Sequence, residues 1–207
     1  MAEIVYVLTN EAMEGLVKIS KTNNGIEKRI KELDNTSVPL PFQCFYAAEV
    51  SDCKLVEEKL HKIFADKRIR PNREFFRMDA NQVRVALELA TLKDVTPQID
   101  IVVDATDIQA LQRAVVTEER RSRLRFTELG IPAGAALTFT KDKQVTCLVV
   151  ADGRVEYRGE LLSPSGAALK AIRNLGYDWS TVNGYDFWEY EGETLVARRL
   201  RLEDEQI

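Results

Sequence analysis

The chain has 207 residues, of which 45% are hydrophobic and 30% charged, a composition typical of soluble globular proteins with one medium or two small domains. Its net charge of −4 argues against a general nucleic-acid-binding surface, and its single histidine excludes His₂ and His₃ metal sites and Cys₂His₂ zinc fingers. The three cysteines are scattered, no apolar run reaches about 18 residues, and the N-terminus lacks a signal-peptide pattern, so we expect a cytoplasmic protein.

The first part of the chain predicts a compact α/β unit that ends near residue 93. Two short apolar runs, at 4–8 and 16–20, are separated by a connector of hairpin length and predict antiparallel neighbours. A helix at 26–33 and a third strand at 42–50 follow. Two amphipathic helices come next, with predicted buried stripes of Val56, Leu60, Ile63 and Phe64 in the first and Val85, Leu89 and Leu92 in the second.

The segment 70–77 places one carboxylate, Glu74, within a cationic run and directly before Phe75 and Phe76. Between residues 62 and 77 there are six Lys or Arg against two acids. An oxygen ligand with a cationic rim and an apolar backing suits a divalent cation held beside a polyanion. The alternative is a surface turn that leads into a short apolar strand with solvated charges around it.

Four other polar side chains in this part are candidates for a site. Tyr6 alternates with apolar strand residues, and a core aromatic is its alternative interpretation. Lys18 lies between two apolar residues of the second strand. Arg29 borders the buried stripe of its helix, so its guanidinium either snorkels to solvent or is aimed at a ligand. His61 flanks the stripe of a later helix, where a half-buried histidine with a local hydrogen bond is equally plausible.

Residues 94–122 predict a linker followed by a connector helix. Thr96-Pro97 and the acid-rich run 100–107 indicate a boundary, and the spacing of apolar residues predicts a helix over 108–120. The basic tail at 120–125 is either solvated or in contact with phosphate.

Residues 123–207 predict a second, smaller α+β domain. Short strands at 137–140, 145–150 and 155–157 precede a helix that Ser163 and Pro164 open. Six aromatic residues then lie between positions 177 and 190. Such a cluster either stacks on bases or forms the core of a small β-rich domain, and the base-stacking candidates are Trp179, Tyr185 and Trp188.

The two N-terminal strands and the arginine-bearing helix resemble the core of the GIY-YIG nucleases. Four segments in order resemble the phage-type branch of that superfamily: VKISKT at 17–22, TSVPLPF at 36–42, LH at 60–61 and NREFF at 72–76. The resemblance covers residues 2–92. It implies an α/β (α+β) fold with a small three-stranded antiparallel sheet flanked by helices, and metal-dependent cleavage of DNA.

The resemblance also implies roles for individual residues. Tyr6 would activate or position the water nucleophile, Arg29 would stabilise charge on the phosphate, and Glu74 would bind Mg²⁺ or Mn²⁺. One carboxylate allows a single metal ion, not a two-metal site. The full set of expected catalytic residues is Tyr6, Lys18, Arg29, His61 and Glu74.

Two positions depart from the founding motif. Lys18 replaces its second tyrosine, and Ser20 adds a side chain where the motif has glycine. These departures favour the alternative function, a non-catalytic DNA-binding or regulatory protein with a degenerate nuclease fold. The cations expected to contact nucleic acid are Lys21, Arg70, Arg73 and Arg77.

Three segments of the second part, at 126–134, 137–140 and 182–188, resemble the RAMA domain. That module is associated with bacterial restriction and modification proteins and is proposed to read DNA. We therefore expect a metal-dependent DNA endonuclease that functions in restriction, phage defence or DNA processing. Its expected partner is DNA, which includes modified DNA, and we expect no membrane partner. A homodimer and a protein–protein scaffold remain open alternatives.

Overall fold

The computed structural model describes residues 2–35, 38–99, 101, 108–113, 126–151 and 153–205. The chain divides into two compact units, Met1–Asp107 and Ile108–Ile207. Residues 108–113 are helical, as predicted for the start of the connector helix. The rest of that helix, its basic tail at 120–125 and most of the acid-rich run at 100–107 lie outside the described residues.

The first unit is built on a five-stranded antiparallel sheet. Its strands are β1 (Ile4–Thr9), β2 (Leu16–Thr22), β3 (Gln43–Glu49), β4 (Phe75–Arg77) and β5 (Lys93–Asp94), in the order β4-β2-β1-β3-β5. The three predicted strands form its centre. Of the two edge strands, β4 was anticipated only in the alternative interpretation of the segment 70–77, and β5 was not predicted, because segments of three and two residues are too short to show a period-two pattern.

The helices of this unit are α1 (Ile26–Leu33), α2 (Cys53–Ile63) and α3 (Ala80–Glu88). In the β1–β2 register Tyr6 lies opposite Ser20 and Leu8 opposite Lys18, so these four side chains share one face of the sheet. The apolar side of α1 packs on that face. Helix α2 lies on the other face, where its His61 ring contacts Phe76.

The prediction of which residues α3 buries is wrong. Val85, Leu89 and Leu92 are 52%, 93% and 70% exposed, and the helix instead buries Ala80, Val83 and Leu87. Both stripes have helical spacing, so periodicity alone cannot choose between them. The buried Asp79 caps the helix by accepting a hydrogen bond from Asn81 N, and this start of the helix places Ala80 against the core. In α2, Leu60 is buried as predicted, but Ile63 is 62% exposed.

Between residues 126 and 205, the described part of the second unit has a six-stranded antiparallel sheet and two helices. The strands are β6 (Ala136–Phe139), β7 (Asp142–Ala151), β8 (Arg154–Tyr157), β9 (Glu160–Leu162), β10 (Trp188–Tyr190) and β11 (Glu193–Thr194), in the order β11-β10-β6-β7-β8-β9. The helices are α4 (Pro164–Asn174), which Ser163 caps, and α5 (Leu195–Asp204). Among the helices that the structure describes, none has the length and apolar character needed to cross a membrane.

The aromatic cluster forms the core of this unit, and its burial contradicts the expected base stacking. Trp188 is fully enclosed, its indole N–H donates to the carbonyl of Pro164 at 2.9 Å, and its ring packs on Phe139 with centroids 5.2 Å apart. Trp179 and Tyr185 are only 7% and 8% exposed. These three rings pack in the core of the domain, which agrees with the alternative interpretation of the cluster as the core of a small β-rich domain.

The packing of Gly184 against α4 gives a test of this core. A Cβ at Gly184 would lie 2.3 Å from the backbone carbon of Pro164, so the backbone would have to move. We expect Gly184→Ala to lower the free energy of unfolding by about 3 kcal/mol or more, at the upper end of overpacking costs. Urea unfolding followed by tryptophan fluorescence measures this, because Trp179 and Trp188 both lie in the second unit.

The matched control is Gly166→Ala within α4, where the nearest atom to a Cβ is Ser163 Oγ at an ordinary 3.4 Å. Alanine is the better helix former, so this variant should be neutral or slightly stabilising. Equal stability of the two variants would contradict the close approach at Gly184.

Candidate functional site

The site begins with an ion pair across β2 and β4. Lys18 is only 7% exposed, and its Nζ donates a hydrogen bond to Glu74 Oε2 at 2.5 Å. The backbone holds the two strands together beside this pair, since Ile19 N donates to Glu74 O at 3.0 Å. The lysine that the sequence placed between two apolar residues is therefore buried and aimed at the predicted metal ligand.

The surroundings of Glu74 keep it ionised. Burial alone would raise the pKa of this half-exposed carboxyl. The hydrogen bond and charge of Lys18, the hydroxyl of Ser20 and the charge of His61 outweigh burial and hold the pKa of Glu74 below its usual value. Ser20, where the founding motif has glycine, thus supplies a hydrogen bond to the carboxylate.

A second polar pair joins α1 to β1. Arg29 Nε donates to the hydroxyl oxygen of Tyr6 at 3.2 Å, and Nη1 donates to Glu32 Oε2 at 3.3 Å. The hydrogen bond to Tyr6 is the main cause that raises the pKa of Arg29, so the guanidinium stays cationic. The oddity seen in the sequence, an arginine beside a buried stripe, has a physical cause in this contact.

Tyr6 itself is 0% exposed and lies behind Arg29. The expectation that its hydroxyl acts directly on a water nucleophile does not fit this burial. Because a guanidinium can only donate, the Tyr6 oxygen accepts from Arg29 and fixes its direction.

Arg29 and Glu74 open into one cleft of about 360 Å³. Its walls come from β2, the turn that follows it, α1 and the residue before β4, and they carry almost only polar and charged side chains. The lining residues are Ser20, Lys21, Thr22, Asn23, Asn24, Arg29, Glu32 and Glu74. Lys18 and Tyr6 do not line the cleft but hold two residues that do.

His61 is half-buried and also stands outside the cleft wall. Its Nε2 lies 3.0 Å from the carbonyl oxygen of Ile19, and a carbonyl can only accept, so Nε2 carries a proton. The local hydrogen bond anticipated as the alternative for this residue is therefore present. His61 reaches the site through its charge, which lowers the pKa of Glu74 after the larger effects of Lys18 and Ser20.

Lys21 lines the cleft and forms an ion pair with Glu57 of α2. Sequence reasoning missed Glu57. A signal was present, since Cys53, Glu57 and Leu60 have the spacing of one helix face and Leu60 was predicted to be buried.

The expected phosphate contacts Arg70, Arg73 and Arg77 are exposed and lie outside the cleft wall. Arg73 N donates to Arg70 O at 3.0 Å, which closes the turn before Glu74. Their assignment to nucleic acid stays a prediction.

Glu32 and Glu74 are the carboxylates in the lining of the cleft, and Glu74 is the one expected to bind a hard cation. Across the described residues, no group of three or more His, Cys, Asp or Glu side chains is placed to hold a metal ion. Mg²⁺ is commonly held by one carboxylate together with waters and substrate phosphate oxygens, and an ionised, half-exposed Glu74 at a cleft wall meets that need.

The Lys18–Glu74 pair can be tested without substrate. In Lys18→Met the largest opposing effects on the carboxyl are gone, so we expect the pKa of Glu74 to rise, as measured by NMR titration of the ¹³C-labelled carboxyl. A depressed pKa adds stability above the unfolded-state value and loses it as pH falls through the folded-state value. The wild type should therefore lose this contribution on acidification, and Lys18→Met should lack it.

The control is Lys59→Met, which removes an exposed lysine of α2. It should leave the titration of Glu74 unchanged. The same Glu74 pKa in Lys18→Met as in the wild type would contradict the ion pair.

Residues 3–91 match the family model of the T5orf172 domain, a phage-associated domain of nuclease type. The match spans β1 to α3 and includes every residue that lines the cleft. No curated protein and no solved structure matches the chain. The first unit of this protein is thus similar to the T5orf172 domain, a family associated with nuclease-like and DNA-binding function.

Proposed function

We propose that this protein is a metal-dependent DNA endonuclease of GIY-YIG type that hydrolyses phosphodiester bonds in the cleft between Arg29 and Glu74. The observation that carries the proposal is the placement of a fixed guanidinium and an ionised carboxylate on one polar cleft. Phosphodiester hydrolysis needs charge neutralisation on the phosphate and an aligned water. The T5orf172 match of this unit supports the same class of chemistry.

The residues of the chain divide into two layers. Arg29 contacts a non-bridging phosphate oxygen and stabilises the charge that grows there in the transition state. Behind the cleft wall, Tyr6 orients Arg29, while Lys18 orients Glu74 and keeps it ionised.

Glu74 would hold one Mg²⁺ or Mn²⁺ ion. When bound, that ion supplies charge neutralisation at the phosphate and lowers the pKa of a coordinated water. Ser20 keeps a hydrogen bond on the carboxylate, which limits the orientations in which it meets the ion.

The biological setting belongs to the same proposal. We place the enzyme in restriction, phage defence or DNA processing inside the cell, with the second unit as a RAMA-like module that reads DNA. Because Trp179, Tyr185 and Trp188 are buried, that module would read DNA through other residues. Arg70, Arg73 and Arg77 would follow the phosphate backbone outside the cleft.

One observation favours a second candidate, a non-catalytic DNA-binding protein with the same fold. Lys18 donates to Glu74 Oε2 at 2.5 Å and so competes with a cation for that oxygen. In this case DNA binding would be salt-dependent, but Mn²⁺ titration followed by calorimetry would give the same result for the wild type and for Glu74→Gln.

The proposed function predicts Mg²⁺-dependent conversion of supercoiled plasmid to nicked or linear DNA, on modified or unmodified plasmid. Arg29→Met and Glu74→Gln should each slow cleavage by about a hundredfold or more, since each removes stabilisation of transition-state charge. Gel assays with Mg²⁺, Mn²⁺ and EDTA measure both effects.

Two neighbours on α1 serve as matched controls. Lys28→Met and Glu27→Gln change exposed charges beside Arg29 and should keep the wild-type rate. A wild type that cleaves neither substrate, or variants of Arg29 and Glu74 that cleave at the wild-type rate, would rule out the proposal.

A further inference from the structure

The buried carboxylate of Glu57 occupies a core position of α2. The residue is 6% exposed and shares the buried helix face with Cys53 and Leu60. Burial of an ionised carboxylate costs several kcal/mol unless it is paired, and an apolar residue of similar volume is commonly as stable or more so. Packing therefore gives no reason for a carboxylate here.

The partner of Glu57 is a cleft residue. Lys21 Nζ donates to Glu57 Oε2, and Lys21 lines the same cleft as Arg29 and Glu74. Glu57 Oε1 is buried and, within the described part of the chain, has no hydrogen-bond partner. The surroundings of Glu57 thus satisfy one carboxylate oxygen, through Lys21. They leave the other oxygen without a hydrogen bond in the described part of the chain, which costs free energy.

Two carboxylates affect the pKa of Lys21. The hydrogen bond to Glu57 is the largest effect on the pKa of Lys21 and raises it, with a smaller contribution from the charge of Glu74. About a third of the Lys21 side chain is exposed, so the side chain is open to solvent where it lines the cleft.

An ammonium carries three N–H donors on a flexible four-carbon stem. One donor of Lys21 is directed to Glu57, which leaves two for a ligand in the cleft. Without a fixed acceptor, the stem would sample many rotamers and the charge would have no defined position.

We propose that Glu57 is a positioning residue of the cleft: its buried carboxylate holds the Lys21 ammonium at the wall, where Lys21 binds a phosphate oxygen of the DNA beside Arg29. The inference rests on the proposed function and adds a second phosphate-binding cation within the cleft. It also explains the buried orphan oxygen, since Glu57 serves the charge of Lys21 and not the packing of α2.

The test separates stability from function. Glu57→Met should keep or raise the free energy of unfolding, measured by urea unfolding with circular dichroism, because it removes a buried charge and leaves Lys21 free to turn to water. The same variant should slow Mg²⁺-dependent plasmid cleavage by roughly 10- to 100-fold, the usual effect of losing a residue that orients a site. Glu57→Gln provides a second, more conservative variant.

A double-mutant cycle supplies a readout that would not change if Glu57 had a purely structural role. Lys21→Met should reproduce the loss seen in Glu57→Met, and the double variant should lose no more. Binding of a short DNA duplex in Ca²⁺ should show a salt slope smaller by about 1 in both single variants, as expected for one lost phosphate contact. The control is Glu58→Met, an exposed neighbour, which should behave as the wild type.

The outcomes are distinct. If folded Glu57→Met cleaves DNA at the wild-type rate and with the wild-type salt slope, the inference is wrong. It is also wrong if the losses add in the double variant. In both cases the proposed function stands. A wild type that neither binds nor cleaves DNA overturns the proposed function and this inference with it.

Discussion

The hydrogen-bonded ion pair between Lys18 and Glu74 is the contact on which the rest of the site depends. It joins residues 56 positions apart, one in β2 and one directly before β4, and it keeps the Glu74 carboxylate ionised at the cleft wall. Half-buried carboxyls resist ionisation, and this one ionises because a buried lysine and the hydroxyl of Ser20 meet it. The short edge strand β4 therefore has a clear task, since it holds Glu74 within reach of Lys18.

The cleft follows a consistent arrangement in which each exposed charge has a less exposed partner. Arg29 is held by Tyr6, Glu74 by Lys18, and Lys21 by Glu57. Pre-oriented charges lose little free energy in reorganising when a substrate arrives, and they act more strongly where water is partly excluded. Replacing the second tyrosine of the founding motif by Lys18 suits this arrangement, because an ammonium can pair with Glu74 where a phenol could not carry the opposite charge.

Much of the first unit could be predicted from its sequence. The β1–β2 hairpin, α1 and the unusual place of Arg29 follow from periods of two and 3.6 residues, which are local properties. The Lys18–Glu74 contact could not be predicted in this way, because it depends on how distant strands pair. The buried stripe of α3 was mistaken because two sets of apolar residues have helical spacing there, and Glu57 was missed because its partner Lys21 lies 36 positions away in the sequence. In the second unit, the aromatic cluster fitted either a core or a binding surface, and the burial of Trp188 decides for the core.

The proposed function requires that a DNA phosphate and one divalent cation meet in the cleft between Arg29 and Glu74. The most direct measurement is a crystal structure of the full chain with a short DNA duplex and Ca²⁺, which supports binding while slowing cleavage. The account predicts a backbone phosphate in contact with Arg29 and a cation bound to Glu74, with the Tyr6–Arg29 hydrogen bond intact. DNA bound elsewhere, with Glu74 still paired only to Lys18 and no cation beside it, would contradict the account.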